Sequence, residues 1–447
     1  MSPWQPSFRF PKLELHRRSV EAKQLVESPS AQLQEFLVKL GSALLSVGTA
    51  ATDIQRTLKR VAIALGSPNA ALIVFPTLIF VGMPEEKETR FDVAESPGGE
   101  VRFDRAARIY TVVDHALAGT ITATQGIEAI EAITAAKPRF NTLVRVLGHG
   151  LAAAGVGLVL LGAEPLSMVY AFVLGVLVGV AKLLVRPGTY AAILLPVITA
   201  FALALIVFAA ARTVVVAEPL QVLVPPLVTL LPGAVLTTGI QELAAGDMVA
   251  GASRLVSGIA QLLFLSFGIL AALTITGVPA STALLTTHPA LGAFQPWLGV
   301  LLFSLGIFLY YCGPRRSVYF LTLVLLVAYG AQLIGAVLMG SVFSGFFGAF
   351  ALTVVAYLIQ SIRGAPPAVV CFLPAFWLLV PGATGLIGLT QSASGSTSTR
   401  TVSRPSSARS SQSRSASSSA RRCTGRSSVS PPRAGGCGWS EPAATRR

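Results

Sequence analysis

The chain has 447 residues, of which 53% are hydrophobic and only 12% charged, with a mean hydropathy of +0.69. Those values exclude a soluble globular protein of this length and imply a membrane protein with many spans. The formal net charge of +14 does not signal nucleic-acid binding: ten arginines against Glu441 place +9 of it in the last fifty residues, and the remaining +5 is ordinary for basic cytoplasmic loops.

Residues 1–30 are polar, carry prolines at positions 3, 6, 11 and 29, and read as a disordered lead. No apolar run follows their basic residues, so no cleaved signal peptide is expected and the first span must direct insertion. From Ala31 the pattern turns helical, with Leu33, Phe36, Leu37, Leu40, Leu44 and Leu45 on one face. A second amphipathic helix follows, capped by Thr52 or Asp53 and carrying Ile54, Leu58, Val61 and Leu65, until Gly66-Ser67-Pro68-Asn69 ends it. Ala71–Val81 is β-branched and aromatic and reads as one strand despite Pro76. Residues 84–100 read as a charged loop or hairpin tip. Val101–Val113 fits a strand or the start of a helix, and periodicity leaves both open. Thr124–Ala136 is a helix ended by Lys137-Pro138. Residues 31–140 are thus expected to form a soluble α+β domain large enough for its own core.

After Asn141 long apolar segments take over. Spans are expected at 143–162, 166–185, 190–210, 219–240 and 254–276, then at 294–311, 317–338, 341–361 and 367–389. Basic residues alternate with them. Lys137, Arg139 and Arg145 precede the first span, Lys182 and Arg186 lie between the second and third, and Arg254 lies between the fourth and fifth. Arg315 and Arg316 separate the sixth from the seventh, and Arg363 the eighth from the ninth. Set on one side, these residues place the N-terminal domain in the cytoplasm. The opposite connections carry Glu164, Arg212 with Glu218, and His288.

The fourth and ninth spans hold a repeated motif, VPPLVTLLPGA at Val224–Ala234 and LPAFWLLVPGA at Leu373–Ala383. At a constant offset of 149 residues they share a first proline, a leucine and the closing Pro-Gly-Ala, and the same offset pairs Gly239 with Gly388. Proline removes a donor and clashes one turn back, so each copy should break its helix. Matched broken spans in two halves of a chain point to a transporter's binding site. Five spans per repeat is an odd number, so the halves, 141–276 and 277–391, should have inverted topology. Half-helix ends at Pro232, Gly233, Pro381 and Gly382 would face a substrate near the midplane, where exposed N–H groups favour a carboxylate and freed carbonyls an ammonium. The alternative is that these kinks and small residues only permit close helix packing.

Polar neighbours Thr237, Thr238, Gln241 and Thr384 join the candidate substrate site, with Thr390 and Gln391 weaker counterparts. Glu242 and Asp247 are candidates for a coupling ion, weighed against solvated acids at the cytoplasmic mouth. Lys182, three residues from its span's end, is expected to snorkel. Asp53, Asp114 and His115 lack a nucleophile motif and read as structural. Four cysteines, Cys312, Cys371, Cys423 and Cys437, show neither metal spacing nor a disulfide framework. Without a Walker A motif, a GxGxxG after a strand, a CxxC or a cluster of catalytic side chains in the spans, the chain is expected to be no enzyme and to need no cofactor or metal. No charged ring or filter-like run suggests a channel.

Residues 392–447 are Ser-, Arg- and Pro-rich where a tenth span is due. A disordered tail touching RNA or acidic lipid is one reading. On this topology, however, it would emerge outside with ten arginines, and a reading-frame slip in a GC-rich gene fits better.

Two stretches resemble the threonine/serine exporter family of bacterial inner-membrane proteins. Leu40–Val81, LGSALLSVGTAATDIQRTLKRVAIALGSPNAALIVFPTLIFV, has that family's small-residue helix, a helix ending Ala-x-x-Leu-Gly and an apolar strand with Pro-Thr. The segments LLPGA and LVPGATGLIGLT resemble its repeated hydrophobic halves. The likeness covers about residues 31–391 and implies a cytoplasmic N-terminal domain, ten spans, and export of threonine and serine driven by the proton gradient or membrane potential. The expected partners are then a small amino acid and the lipid bilayer. The fold class expected is an α-helical polytopic protein of two inverted five-helix repeats, lacking its tenth helix, behind an α+β domain. The competing function is a membrane-anchored sensor or scaffold that does not transport.

Overall fold

The computed structural model describes residues 29–84, 89–96, 98, 101–160, 165–212, 219–278, 292–340, 343–362 and 365–379. It is mostly helical, and its N-terminal part carries a small sheet. Helix α1 (Pro29–Ser46) and α2 (Ala51–Ala64) precede strands β1 (Ala71–Val74), β2 (Leu78–Pro84) and β3 (Thr89–Glu95), and α3 (Phe103–Leu117) and α4 (Ala123–Ala135) follow. The three strands form an antiparallel sheet in the order β1-β2-β3. The apolar stripe of α1 is buried as its spacing predicts, with Phe36, Leu37, Leu40 and Leu44 fully enclosed. Strand β2 turns Ile79, Val81 and Met83 into the same core. The Gln34 side-chain amide donates to the carbonyls of Val81 and Arg90, each at 2.9 Å, tying α1 to β2 and β3.

Three expectations need correction. Ala71–Val81 is a hairpin, not one strand. Pro76 has no N–H to give a ladder, and the chain turns there, with the Phe75 N–H donating to the Leu78 carbonyl at 2.8 Å. Residues 84–100 contain β3, in register with β2 from Pro84 opposite Thr89 to Leu78 opposite Glu95; the tip at 85–88 lies outside the described residues. Between the two options for Val101–Val113, the chain takes the helix. The N-cap of α2 is Ala50, with no side-chain cap, so neither Thr52 nor Asp53 caps it.

The apolar part comprises α5 (Thr142–Leu160), α6 (Pro165–Leu184), α7 (Tyr190–Ala211), α8 (Pro219–Leu227), a 3-10 turn at Val228–Leu230, α9 (Gly233–Ala244) and α10 (Met248–Thr276). It continues with α11 (Gln295–Tyr310), α12 (Ser317–Met339), α13 (Ser344–Gln360) and α14 (Ala368–Leu379). Among the described residues six helices are long and apolar enough to cross a membrane, or seven if α8 and α9 count as one bent span. Helix α13 is apolar but has 17 residues, and 12 residues of α14 are described. Large apolar side chains such as Ile193 on α7, Phe267 on α10 and Val337 on α12 point outward, as lipid-facing residues do.

The closest packing joins α5 to α11. Gly148 faces Gly306 and Gly155 faces Gly299, so the pairs run in reverse order and the helices are antiparallel. A methyl group on Gly148 would lie 2.9 Å from the Gly306 carbonyl oxygen, and one on Gly299 would lie 2.7 Å from that of Gly155. Backbone cannot move aside as a side chain can. The glycines are what let these helices meet.

Candidate functional site

The expected break in the fourth span is present. Helix α8 carries Pro225 and Pro226 and gives way to the 3-10 turn, and α9 departs at 49°. The first intrahelical bond of α9 runs from the Leu236 N–H to the Pro232 carbonyl at 2.9 Å. The N–H groups of Gly233, Ala234 and Val235 therefore lie ahead of the helical ladder, at its positive end. On the other side of the break, the Leu230 carbonyl accepts from the Gln261 side chain of α10 at 2.6 Å. A protein amide thus occupies the carbonyl that could have faced an ammonium.

Beside the break lies a cavity of about 400 Å³. Its polar wall is Lys182 of α6, Thr229 of the 3-10 turn and Gln261 of α10. Pro232, Ala234 and Val235 supply the break itself, and Tyr311 and Trp377 the aromatic wall. Lys182 Nζ donates to Thr229 Oγ1 at 3.1 Å and to the Tyr311 hydroxyl at 3.4 Å, and sits 5.0 Å and 5.6 Å from the ring centroids of Tyr310 and Tyr311. Such faces attract a cation. Behind Thr229 stands His149 of α5, which is buried. Its Nδ1 lies 2.7 Å from the Gly175 carbonyl, which can only accept, so Nδ1 carries the hydrogen. In the neutral ring Nε2 then accepts from the Thr229 hydroxyl at 2.7 Å, and that oxygen accepts from Lys182. Lysine, threonine and histidine form one directed chain.

The aromatic wall is set by the end of α11. Cys312 adopts φ 56°, and the Gly313 N–H closes the helix on the Phe308 carbonyl at 2.8 Å. The Tyr311 carbonyl then accepts from the Phe103 N–H of α3 at 2.8 Å, and the Tyr311 ring stacks between Phe103 and Trp377 with centroids 5.2 Å away in each case. The N-terminal part thereby holds one side of the cavity.

At the far end of α9, Glu242 is fully buried. Its carboxylate takes Arg254 Nε at 2.9 and 3.1 Å and the Ala51 N–H at the start of α2 at 2.8 Å. The missing cap of α2 is this carboxylate, 191 residues downstream in sequence. Glu242 is therefore not a solvated loop acid. Asp247 accepts from the Ala250 N–H at 3.1 Å and caps α10.

The other nominated residues divide. Pro232 lines the cavity at the break, and Gly233 is buried beside it. The Thr237 hydroxyl donates to the Gly233 carbonyl within its own helix at 2.9 Å. Thr238 and Gln241 line a different cavity, against α2. Pro381, Gly382, Thr384, Thr390 and Gln391 lie outside the described residues, as does the Arg/Ser-rich tail. Lys182 does not snorkel: it is turned onto Thr229 and two tyrosines. Asp114 and His115 stand on α3 and Asp53 on α2, and the exposed His115 Nδ1 lies 3.0 Å from the Thr120 hydroxyl. Among the described residues no three His, Cys, Asp or Glu side chains gather as a metal site requires. His149, Thr229, Gln261, Tyr311 and Trp377 were not nominated from sequence. Ionisable residues inside apolar spans were the available signal for Lys182 and His149.

The chain matches one family model, ThrE, described as "Putative threonine/serine exporter", over residues 35–276. No curated protein matches it, and no solved structure does. The matched stretch is more than half of the 447 residues and runs from α1 to the end of α10, through the broken span and Lys182. The chain belongs to the threonine/serine exporter family, a family of membrane transporters.

Proposed function

We propose that the protein is a secondary transporter that exports threonine, serine and similar small amino acids across the bacterial inner membrane, and that the cavity at the break is its substrate site. One observation carries this reading: Lys182 and the start of α9, two groups suited to a carboxylate, line one cavity beside a broken span. Trp377 offers a π face for the ammonium, and Thr229 and Gln261 offer partners for a side-chain hydroxyl. Pro381, Gly382 and Thr384 would complete the site from the ninth span.

In this reading the two halves are inverted repeats, 141–276 and 277–391. The antiparallel seam of α5 and α11, each the first span of its half, supports that relation, because glycines spaced alike on both helices meet in reversed order. The 31–140 part is a cytoplasmic domain, between the lead at 1–30 and the spans, with the tail at 392–447 beyond the last. Export draws on the proton gradient or membrane potential. Glu242 is the carboxylate through which a coupling ion would act, since it links α9 to Arg254 and to α2; Asp247, the cap of α10, is the second.

The test is threonine transport by the purified protein in vesicles under an imposed proton gradient, beside a Lys182→Met variant. Gradient-dependent transport that the variant loses is the expected result. Transport unchanged in Lys182→Met would move the site elsewhere, and none by correctly folded wild type would favour a sensor or scaffold.

A further inference from the structure

A second cavity of about 400 Å³ lies where α2 meets the spans. Helix α2 turns Asp53, Arg56 and Arg60 toward it, at steps of three and four residues, while Ile54, Leu58 and Val61 fill the core on its opposite face. Arg56 and Asp53 form an exposed ion pair at 3.3 Å, the kind that solvent weakens and a ligand can replace. Hydroxyls come from Tyr110 and Thr49, 3.2 Å apart, and from Thr238 of α9. Burial pushes the Tyr110 phenol above its ordinary pKa, against the opposing hydrogen bond from Thr49, so it stays neutral. The floor is apolar, made of Phe372, Leu373, Phe376 and Ala234.

Ala234 and Leu373 also line the cavity at the break. Ala234 stands in the first turn of α9 and Leu373 opens the matching motif of the second half, so a thin wall from both halves separates the two chambers.

We propose that this second cavity is a vestibule that binds the amino-acid zwitterion before it reaches the break, with Arg56 and Arg60 taking the carboxylate, Asp53 the ammonium and the hydroxyl cluster the side chain. The proposal rests on the exporter reading above for its direction of flow, and on the cavity alone for its ligand class. Passage inward requires α9 and α14 to part at Ala234 and Leu373.

Full-length protein in vesicles, with threonine supplied on the face that carries α2, tests it. Asp53→Asn and Arg60→Gln, both at exposed positions, should each raise KM about tenfold and keep kcat within about twofold, the signature of a lost binding contact. Unchanged KM in both would overturn the vestibule and leave the exporter reading intact. A second assay needs no transport. In a Cys423→Ser, Cys437→Ser background, Thr57→Cys at the vestibule wall should react with a charged thiol reagent, since Cys312 and Cys371 are buried. Threonine should protect it, and threonine amide, which lacks the carboxylate, should not. Protection by threonine in a protein that does not transport would sink the exporter reading while supporting the site; equal reaction with and without threonine would sink the site.

Discussion

Lys182 brings an ammonium to a cavity wall where it meets hydroxyls and two rings, and in the proposed site it is the carboxylate's charged partner beside the break. A hydrogen bond to a charged group is worth about 1.5–3 kcal/mol, so Lys182→Met should weaken threonine binding roughly tenfold to a hundredfold, and Lys182→Arg should recover part of it. Equilibrium binding to the purified protein reads both. Glu242 works differently. It joins three elements through one carboxylate, and deleting one member of a buried pair leaves the other uncompensated. Glu242→Ala should cost about 3 kcal/mol and expose the start of α2 to protease, with lowered thermal stability as the measurement. At this scale the sequence was a partial guide. Lys182 reads as snorkelling because distance from a span's end is visible in a sequence while the direction of a side chain is not. Thr229 and Gln261 gave no signal at all, since lone polar residues in apolar runs look alike until a neighbouring helix selects one. Glu242 drew notice as an acid near the membrane, yet its partner Ala51 is separated from it by 191 residues.

The broken fourth span is the element most legible in advance, because proline acts locally and its effect needs no tertiary partner. Ala71–Val81 reads as one strand for the converse reason: β propensity holds on both sides of Pro76 and does not reveal the turn between. The α5–α11 seam lay beyond local pattern, since it depends on which helices become neighbours. Its consequence is specific. Replacing Gly155 or Gly306 by leucine puts carbons where the partner's backbone stands, and overpacking of this kind costs about 1–3 kcal/mol or more. Either variant should lower thermal stability in detergent and reduce transport together. The same change at Gly345, where an added Cβ would meet no other part of the described residues within 4 Å, should do neither. Pro232→Ala asks another question. It allows α8 and α9 to straighten across the 49° bend, and should reduce substrate binding without the loss of stability seen at the seam.

Across the whole molecule, the N-terminal part and the spans share both chambers. Val101 lines the cavity at the break, Phe103 stacks on Tyr311 in its wall, and α2 walls the second one. On the proposed function, a part so placed lies on the side from which substrate arrives or leaves, which makes its sidedness a functional statement. Lys137, Arg139 and Arg145 at the entrance of α5, Arg254 at the start of α10 and Arg315 and Arg316 before α12 all belong to the same end of the bundle as that part: Arg254 reaches it through Glu242 and Ala51, and the Arg139 guanidinium donates to the Gly313 carbonyl at 2.9 Å. A concentration of lysine and arginine at one end is the ground on which the cytoplasmic placement is proposed. In a Cys423→Ser, Cys437→Ser background, a cysteine at Ile63, which is 52% exposed on α2, should therefore resist a membrane-impermeant thiol reagent in intact cells and react once the cells are opened. Reaction in intact cells would put the vestibule on the outer face. The direction of transport would then have to be reversed: the chamber now proposed to receive the amino acid on its way out would be the one that releases it, and the α2 variants would alter release rather than capture.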